Sequence, residues 1–494
     1  MKNVLFPSLS DCKNLAKKGN LIPVYKEIVA DTETPVSTFL KLAAGEPYSY
    51  LLESVEGGER WARYSFISWA PKRLFISKAN TFAVSSPGKP PRWQPTNDPL
   101  AELKDVMAGF KPVDVDGLPR FWGGAVGYAA YDVVRFIEKL PNKPPEKLSV
   151  PDMLFFITDQ LVIFDHFSHR IKILKCIDTR SSKDFSQQYA AAEREIDGII
   201  AKLRKPLKPV PSKTHMHHPQ TSNMTPRAYC RTVEQAKKYI RAGDIIQVVP
   251  SQRFSRKSDA DSFEIYRALR LVNPSPYLYY ISAGDFSVIG SSPELLVRKE
   301  GDHAETRPIA GTRPRSADAV REEALARELL ADPKERAEHI MLVDLGRNDL
   351  GRVCLPSTIS IPELMVIEKY SHVMHIVSSV IGTLRPGIDA FELFRACFPA
   401  GTVSGAPKVR AMEIIDELEP VSRGVYAGAV GYFSYSGNMD MAITIRTIVF
   451  KDGIAYAQAG GGVVADSVPI NEYQETRNKA AALFAAIDRA EDGL

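Results

Sequence analysis

The sequence has no stretch of about 18 apolar residues, so no segment is predicted to cross a membrane. It has few cysteines, and their spacing matches neither a disulfide framework nor a metal site: Cys12, Cys176, Cys230, Cys354 and Cys397. Reduced thiols of this kind are typical of a cytoplasmic protein. Residues 1–20 also lack the apolar core of a signal peptide.

An excess of charge of one sign is missing as well. The chain has 63 lysines and arginines against 59 aspartates and glutamates, which gives a net charge of +4. A balanced surface gives no support for a nucleic-acid partner. What the chain does have is length, since 494 residues with 44% hydrophobic content can bury a large core in two lobes.

The order of predicted elements divides the chain into three parts. Residues 1–205 form a β-rich N-terminal lobe, in which residues 152–174 alternate between apolar and polar side chains. Residues 206–224 are rich in proline, histidine, serine and lysine, and we interpret them as a linker. Its histidines, His215, His217 and His218, offer a metal site, but a solvated segment without an ordered partner is favoured. Residues 225–494 mix helices and strands and form the second lobe.

Two Glu-x-x-Glu pairs stand near the start of predicted helices, Glu335 with Glu338 and Glu472 with Glu475. Residues three apart share one helical face, so the four carboxylates converge if the fold brings the helices together. Mg²⁺ is the usual cation for such a site. The alternative is structural, because Asp332 would cap one helix and acidic residues in a first turn offset the helix dipole.

Three further features each allow two interpretations. The consecutive glycines 460–462 expose backbone amides that can hold a carboxylate or phosphate, or they form a tight turn. Arg446 lies in a predicted strand, where it needs an anionic partner if it points inward and is an edge residue if it does not. His375, in an extended segment with His372, is either a core histidine or a proton shuttle.

Several long segments occur in one order along the second half. They are Ser-Pro-Glu at 292–294, Pro-Ile-Ala-Gly-Thr at 308–312, Glu-His at 338–339 with Leu-Val-Asp-Leu-Gly-Arg-Asn-Asp at 342–349, Ala-Gly-Thr-Val-Ser-Gly-Ala-Pro-Lys at 400–408, and Gln-Ala-Gly-Gly-Gly at 458–462. With Glu472 and Glu475 behind them, these segments resemble the chorismate-utilising enzymes. The resemblance spans nearly the whole chain and is strongest from residue 225 to about residue 485.

This resemblance implies an α+β fold of layered antiparallel sheets flanked by helices, and a cytoplasmic, Mg²⁺-dependent enzyme. It implies that Glu338 and Glu475 bind Mg²⁺, with Glu335 and Glu472 as outer companions. It assigns the binding of chorismate to Gly311, Thr312, Tyr426, Arg446, Gly460, Gly461 and Gly462. Glu294 matches the general acid for the departing C4 hydroxyl, His375 matches the histidine linked to aromatisation, and Thr402 lies close to the same pocket.

Within the family, the pattern is most similar to enzymes that convert chorismate and ammonia to anthranilate and pyruvate through aminodeoxyisochorismate. Relatives that add water carry a lysine where this chain has Gln247. Relatives that make aminodeoxychorismate for folate usually carry a nucleophilic lysine where this chain has Ala310. The folate-branch activity, and a catalytically silent tryptophan-sensing subunit, are the alternatives.

The resemblance also implies regulation and a partner. Residues 51–54 and 273–278 resemble a tryptophan feedback element, in which Ser54, Pro276, Tyr277 and Leu278 form an inhibitory pocket; without the resemblance, 273–278 is a turn that ends a helix. No Gly-x-Cys-x-Gly segment is present, so no glutaminase nucleophile is found. A class I glutamine amidotransferase subunit is therefore expected to deliver ammonia within a hetero-oligomer, with two chains of each kind forming a heterotetramer.

Overall fold

The structure, a computed structural model, describes residues 4–54, 63–181, 184–207, 214–370 and 373–494. The helices of these residues are α1 (Leu9–Leu15), α2 (Pro35–Leu42), α3 (Pro99–Ala108), α4 (Phe185–Leu203), α5 (Pro226–Ala242), α6 (Ser262–Val272), α7 (Ala319–Ala331), α8 (Pro333–Gly351), α9 (Ala390–Cys397), α10 (Lys408–Leu418) and α11 (Pro469–Asp492). None of these helices is long and apolar enough to span a membrane.

The strands of the first half are β1 (Leu21–Val29), β2 (Tyr48–Glu53), β3 (Tyr64–Trp69), β4 (Arg73–Lys78), β5 (Thr81–Ser85), β6 (Gln94–Pro95), β7 (Gly124–Ala129), β8 (Met153–Thr158), β9 (Gln160–Asp165), β10 (Arg170–Asp178) and β11 (Thr221–Ser222). Those of the second half are β12 (Gln247–Val248), β13 (Ser251–Lys257), β14 (Tyr277–Ala283), β15 (Phe286–Ser292), β16 (Leu295–Glu300), β17 (His303–Thr306), β18 (Ile309–Pro314), β19 (Ser360–Lys369), β20 (Val373–Thr383), β21 (Gly405–Ala406), β22 (Ala429–Ser434), β23 (Met439–Ile443), β24 (Thr447–Lys451) and β25 (Ile454–Gly460).

Two large antiparallel sheets form the centre of the molecule. The first sheet has the strand order β1-β10-β9-β3-β2-β14-β15-β24-β25-β13-β11, and the second has the order β18-β20-β17-β16-β23-β22-β7-β8-β4-β5-β6, with β19 also paired to β20. The main hydrophobic core combines buried side chains of both sheets, including Tyr279 and Val288 of the first and Phe155 and Phe433 of the second. The layered α+β class expected from the sequence is confirmed.

Helices cover the outer surfaces of this sandwich. A second apolar cluster joins α2, α4, α6 and α11 to the first sheet. On the second sheet, Phe391 of α9 stacks on Phe433 of β22 with ring centroids 4.2 Å apart. An amphipathic helix must bury its apolar face against another element, and these sheets supply that surface.

Both sheets combine strands from the two sides of residues 206–224. In the first sheet β2 pairs with β14, and in the second sheet β7 pairs with β22. The division into residues 1–205, a linker at 206–224 and residues 225–494 stays a prediction.

Local sequence determines where the two helices that carry the glutamate pairs begin. Asp332 begins α8, and its Oδ1 accepts hydrogen bonds from the backbone N–H groups of Lys334 and Glu335, as the capping interpretation predicts. The helix α11 begins at Pro469, a residue that suits the first helical position. Glu335 and Glu472 both lie in the first turn of their helices.

One strand predicted from the sequence is interrupted. Arg446 was expected to lie within a strand, but β23 ends at Ile443 and β24 begins at Thr447. The chain crosses there from the second sheet to the first. Arg446 has a positive φ of 51° at this crossing, which is rare for a residue with a side chain.

The expectation that the histidine-rich segment has no ordered partner is wrong at His215 and His217, although the His217 side chain is about half exposed, as a solvated segment predicts. The backbone N–H of His215 donates to the carbonyl of Glu491 at 2.8 Å. The Nε2 atom of His217 lies 3.0 Å from Asp492 Oδ1. The acidic end of α11 lies far away in sequence, so composition of the segment did not indicate this contact.

Candidate active site

The glycine-rich segments lie against three of the four predicted metal-binding carboxylates. A Cβ atom added at Gly461 would lie 2.9 Å from Glu472 Oε2, and one added at Gly462 would lie 3.5 Å from Glu338 Oε1. A Cβ atom at Gly311, whose φ is +66°, would lie 3.1 Å from Glu335 Oε2. The first turns of α8 and α11 therefore face the glycine backbone at the end of β25 and in β18, which defines a cleft.

Two of these carboxylates have no cationic partner in the described residues. Glu472 is buried, and its Oε2 has no hydrogen-bond partner. Glu338 Oε1 accepts a hydrogen bond from Gln247 Nε2 at 3.0 Å. Burial raises the pKa of Glu472, and the nearby Glu475 carboxylate adds to this effect. Unbalanced negative charge in a partly dry cleft favours a cation.

The other two carboxylates have basic neighbours. Glu335 Oε1 lies 3.5 Å from Arg313 Nη1, and Glu475 Oε1 lies 2.6 Å from Lys479 Nζ. Burial and the neighbouring Glu338 raise the pKa of Glu335. One predicted ligand, Glu475, and one predicted outer companion, Glu335, are therefore partly neutralised by the protein itself.

The four glutamates line the cleft without closing on one point. In the described part of the chain, three ligand atoms of His, Cys, Asp or Glu come within 4.8 Å of one another at His217, Asp488 and Glu491, and not among these glutamates. Mg²⁺ keeps several waters and is completed by anionic oxygens of a substrate, so an open set of carboxylates fits this ion. The unpartnered Glu472 Oε2 fits it as well.

Glu294 is held as a neutral acid beside the cleft. Burial raises the pKa of Glu294 to about 8, although the Thr402 hydroxyl and the Lys479 ammonium oppose the shift. Two hydrogen bonds tie the segment around Glu294 to Ile443. Ile443 N donates to Glu294 O at 3.0 Å, and Ser292 Oγ donates to Ile443 O at 2.6 Å. At pH 7 this carboxyl is predominantly protonated and able to donate a proton.

Thr402 lies beside this acid in a short helical turn, residues Gly401–Val403. Its Oγ1 is buried and lies close enough to the Glu294 carboxyl to oppose the rise of its pKa, but the contact does not reach the geometry of a full hydrogen bond. A bound ligand oxygen would complete the hydrogen bonding of this hydroxyl.

His375 has a defined tautomer. Its Nδ1 lies 2.7 Å from the carbonyl of Gly311, so Nδ1 carries the hydrogen and donates it. Burial lowers the pKa of His375, which keeps the ring neutral. The Nε2 atom then carries the lone pair and can accept a proton. His372 lies outside the described residues.

Tyr426 and Arg446 face the glycine run from the other side. A Cβ atom added at Gly460 would lie 2.9 Å from Tyr426 Oη. Arg446 Nη1 donates to the carbonyl of Lys479 at 3.1 Å, and burial lowers the pKa of Arg446. Arg446 therefore points inward, and no carboxylate of the described residues forms an ion pair with it. This guanidinium is available for a ligand anion.

Lys479 is a site residue that the sequence analysis did not identify. Its Nζ donates to the carbonyl of Gly460 at 3.0 Å and pairs with Glu475 one helical turn before it. The i, i+4 spacing of Glu475 and Lys479 was visible in the sequence and would have indicated the pair. The contact with Gly460 depends on the fold.

A buried ion pair supports the substrate side of the cleft. Arg423 and Glu419 are both almost fully buried and pair at 2.6 Å. Arg423 also donates to the carbonyls of Val403 and Val249, and its guanidinium lies 5.5 Å from the Tyr426 ring. The four-residue spacing of Glu419 and Arg423 was visible in the sequence, but the carbonyls of Val403 and Val249 come from separate segments, so their contacts depend on the fold.

The four residues assigned to a tryptophan pocket line one cavity of about 410 Å³, and they are Ser54, Pro276, Tyr277 and Leu278. Within it, Asp440 accepts hydrogen bonds from Tyr277 Oη at 3.0 Å and from Arg298 Nε at 2.9 Å. Tyr277 pairs in the first sheet with Ser292, two residues before Glu294. The occupant of this cavity stays a prediction.

These features belong to a recognised class. The family model described as chorismate binding enzyme matches residues 48–485, which covers the cleft, Glu294 and the cavity. Anthranilate synthase component 1 of Aquifex aeolicus is 48% identical over 488 residues, with 98% of each chain covered, and that of Acetivibrio thermocellus is 46% identical over 494 residues, with 99% of each covered. The chain belongs to the anthranilate synthase component 1 family of chorismate-binding enzymes.

Solved structures agree. Anthranilate synthase component I from Streptococcus pneumoniae is 37% identical, with a TM-score of 0.78, and the match covers 92% of this chain and 98% of that one. The menaquinone-specific isochorismate synthase of Escherichia coli has a TM-score of 0.71 at 18% identity over 97% of this chain and 98% of its own. At that identity the likeness shows the fold alone.

Proposed function

We propose that this chain converts chorismate and ammonia to anthranilate and pyruvate, through aminodeoxyisochorismate, as the first committed step of tryptophan biosynthesis. One observation carries the proposal: a protonated carboxyl, Glu294, is buried beside a carboxylate-lined cleft in a chain that matches anthranilate synthase component 1 from end to end. A cytoplasmic location is part of the proposal, and the five free cysteines support it.

Glu294 and His375 perform the two proton transfers in this proposal. Ammonia adds at C2 of the ring while the C4 hydroxyl departs as water, with its proton supplied by Glu294. In the second step the C2 proton leaves, the ether bond between the ring and the enolpyruvyl oxygen breaks, and the ring becomes aromatic; the departing enolate takes up a proton from water and becomes pyruvate. The free lone pair of His375 Nε2 is the group that we assign to accept that proton.

The substrate carboxylates need donors, and the glycine side of the cleft offers them. Arg446, Tyr426 and the backbone amides of residues 460–462 bind one carboxylate in this proposal, and Gly311 and Thr312 line the opposite wall. The absence of side chains at the glycines lets a ligand approach the backbone closely.

Mg²⁺ is the cofactor that these residues would hold, with Glu338 and Glu475 as ligands and Glu335 and Glu472 as outer companions. When bound, the ion supplies positive charge to the ring carboxylate and so favours loss of the C4 hydroxyl. The carboxylates themselves then orient that cation between α8 and α11.

Gly461→Ala is expected to raise the Mg²⁺ concentration for half-maximal activity by about tenfold, because the added Cβ would lie 2.9 Å from Glu472 Oε2 and displace it. Titration of activity with Mg²⁺ measures this change. Gly198→Ala is the matched control, since nothing lies within 4 Å of its Cβ, and it should leave the titration unchanged. An unchanged titration for Gly461→Ala would remove Glu472 from the metal site.

The folate-branch alternative predicts amination at C4, which usually involves a lysine at position 310. Here Ala310 pairs with Ile376 in the second sheet and offers no nucleophile. The silent-subunit alternative is disfavoured because every site position matched to the family carries the expected residue in this chain. Amination at C2 by free ammonia is therefore favoured.

The purified chain is expected to form anthranilate from chorismate, Mg²⁺ and ammonium salts at raised pH, but not from glutamine. In this proposal a separate class I glutamine amidotransferase subunit supplies ammonia in a hetero-oligomer. Anthranilate fluorescence with each nitrogen donor measures both activities. Glutamine-dependent turnover by this chain alone, or formation of aminodeoxychorismate, would contradict the proposal.

We also propose that tryptophan binds in the 410 Å³ cavity and inhibits the enzyme. Coupling between the two sites requires that the ligands prefer different arrangements of the protein. Ser54 and Leu52 lie on the same face of the chain at β2, where alternate residues share a face, and both line the cavity.

Leu52→Trp is expected to raise the tryptophan concentration for half-maximal inhibition by about tenfold or more, because overpacking a filled site costs about 1–3 kcal/mol. Ammonium-dependent turnover should persist. Inhibition curves on the variant and on Leu271→Trp, an exposed position outside the cavity, test this. Equal inhibition of all three proteins would place the inhibitor elsewhere.

A further inference from the structure

A compact cluster of ligating side chains lies at the C-terminal end of α11, away from the glutamate cleft. Asp488 and Glu491 are three residues apart on one helical face, and His217 approaches them from the segment before α5. The Nδ1 atom of His217 lies 3.5 Å from Asp488 Oδ1. One ligand atom from each of these three residues lies within 4.8 Å of the other two.

Glu491 gives an independent indication of a ligand at this place. The residue is fully buried, at 0% exposure, and its Oε1 has no hydrogen-bond partner. Its other oxygen, Oε2, accepts a hydrogen bond from Arg256 Nη2 at 2.7 Å. A buried carboxylate oxygen without a partner is costly, and a bound cation would satisfy it.

His217 is oriented as a ligand would be. Its Nε2 lies 3.0 Å from Asp492 Oδ1, so Nε2 donates its hydrogen to that carboxylate. In the neutral ring this leaves the lone pair on Nδ1, the atom that faces Asp488. A carboxylate behind a histidine is the usual arrangement at metal sites, where it orients the ring and raises its basicity.

The charges of the cluster also leave room for a divalent ion. Asp488, Glu491 and Asp492 carry three negative charges, and Arg256 supplies one positive charge to Asp488 Oδ1 and Glu491 Oε2. If His217 is counted as neutral, three carboxylates and one guanidinium give the cluster a net charge of −2. Arg256 occupies one oxygen of each carboxylate, so Asp488 Oδ2 and Glu491 Oε1 remain for coordination.

We propose that His217, Asp488 and Glu491 bind a single transition-metal ion of the Zn²⁺ class. One imidazole nitrogen and two carboxylate oxygens, with water in the fourth position, form a tetrahedral set that Zn²⁺ accepts, whereas Mg²⁺ prefers all-oxygen ligands. The ion would join residue 217 to residues 488–491 and fasten the segment before α5 to the last helix. A cross-link that closes so long a loop stabilises the folded chain.

Co²⁺ as a spectroscopic substitute for Zn²⁺ tests this site on the full chain, with Mg²⁺ in excess to occupy the glutamate cleft. A tetrahedral site with a nitrogen ligand gives strong visible absorption, whereas an octahedral oxygen site gives weak absorption. We expect saturable absorption at one ion per chain, its displacement by Zn²⁺, and a rise in the melting temperature with Zn²⁺.

Three variants of the cluster and one control decide the assignment. His217→Gln and Asp488→Asn should each abolish the Co²⁺ absorption and the Zn²⁺-dependent rise in melting temperature, while Asp492→Asn should weaken binding by about 10–100-fold. His218→Gln, a change at the neighbouring histidine, should leave both unchanged. Absence of absorption in the unaltered chain, or absorption that survives His217→Gln, would overturn the proposal and leave an ion-pair cluster.

Discussion

Glu338→Gln is expected to lower kcat/KM for chorismate, with ammonium as donor, by about a thousandfold. A metal ion that neutralises developing charge contributes several kcal/mol to the transition state, and each factor of ten corresponds to about 1.4 kcal/mol. Glu338 Oε1 faces Gly462 and is held by Gln247, so its charge is central to the cleft. Steady-state kinetics over a Mg²⁺ titration measures the loss.

The control for this variant makes the same substitution, glutamate to glutamine, at an exposed position. Glu323 lies on α7, is largely exposed and, among the residues that the structure describes, forms an ion pair with Arg327 one turn away. Glu323→Gln should therefore leave both turnover and the Mg²⁺ titration unchanged. If Glu338→Gln retained full activity with an unaltered Mg²⁺ requirement, the carboxylates of α8 would have no part in metal binding.

Glu294→Gln is expected to lower kcat by about 10²–10⁴-fold, the usual contribution of a positioned acid. Glutamine keeps the size of the side chain but has no acidic proton. Chorismate binding should change little, since the substrate carboxylates are assigned to Arg446 and the glycine amides. The comparison of kcat with KM separates the two effects.

The pH dependence gives a second test of the same residue. Burial raises the pKa of Glu294 from 4.5 to about 8, so the acid is protonated below that pH and loses its proton as the pH rises through it. At a fixed concentration of free ammonia, kcat should fall about tenfold per pH unit above 8. Glu294→Gln should lack this limb, while Glu392→Gln, on the exposed start of α9, should retain it. A flat profile in the unaltered chain would remove Glu294 as the acid.

Local chemistry determined the features that the sequence analysis predicted well. Asp332 and Pro333 define the start of α8 through capping alone. The layered α+β class followed from the resemblance and is confirmed. The start of α8 was predictable because it is decided within a few residues, whereas the fold class came from long segments that resemble a known family.

Features that depend on distant segments were out of reach. The chain crosses between the sheets at Arg446 because β23 pairs with β16 in one sheet and β24 pairs with β15 in the other. The hydrophobic pattern of the sequence continues through this crossing without a break. The network of Arg423 and Glu419 joins carbonyls near residues 249 and 403. The docking of His217 on the last helix joins residues 275 positions apart. No periodicity carries such information.

The strand order has a consequence for dissecting the molecule. In the intact chain β2 and β7 are each paired on both sides, with β14 and β22 as their C-terminal neighbours. A fragment cut at the histidine-rich segment would expose two long rows of unsatisfied amides and carbonyls, one on each layer, and such margins promote self-association. Separately expressed halves should therefore precipitate, whereas co-expressed halves can reassemble by pairing their exposed edge strands with each other.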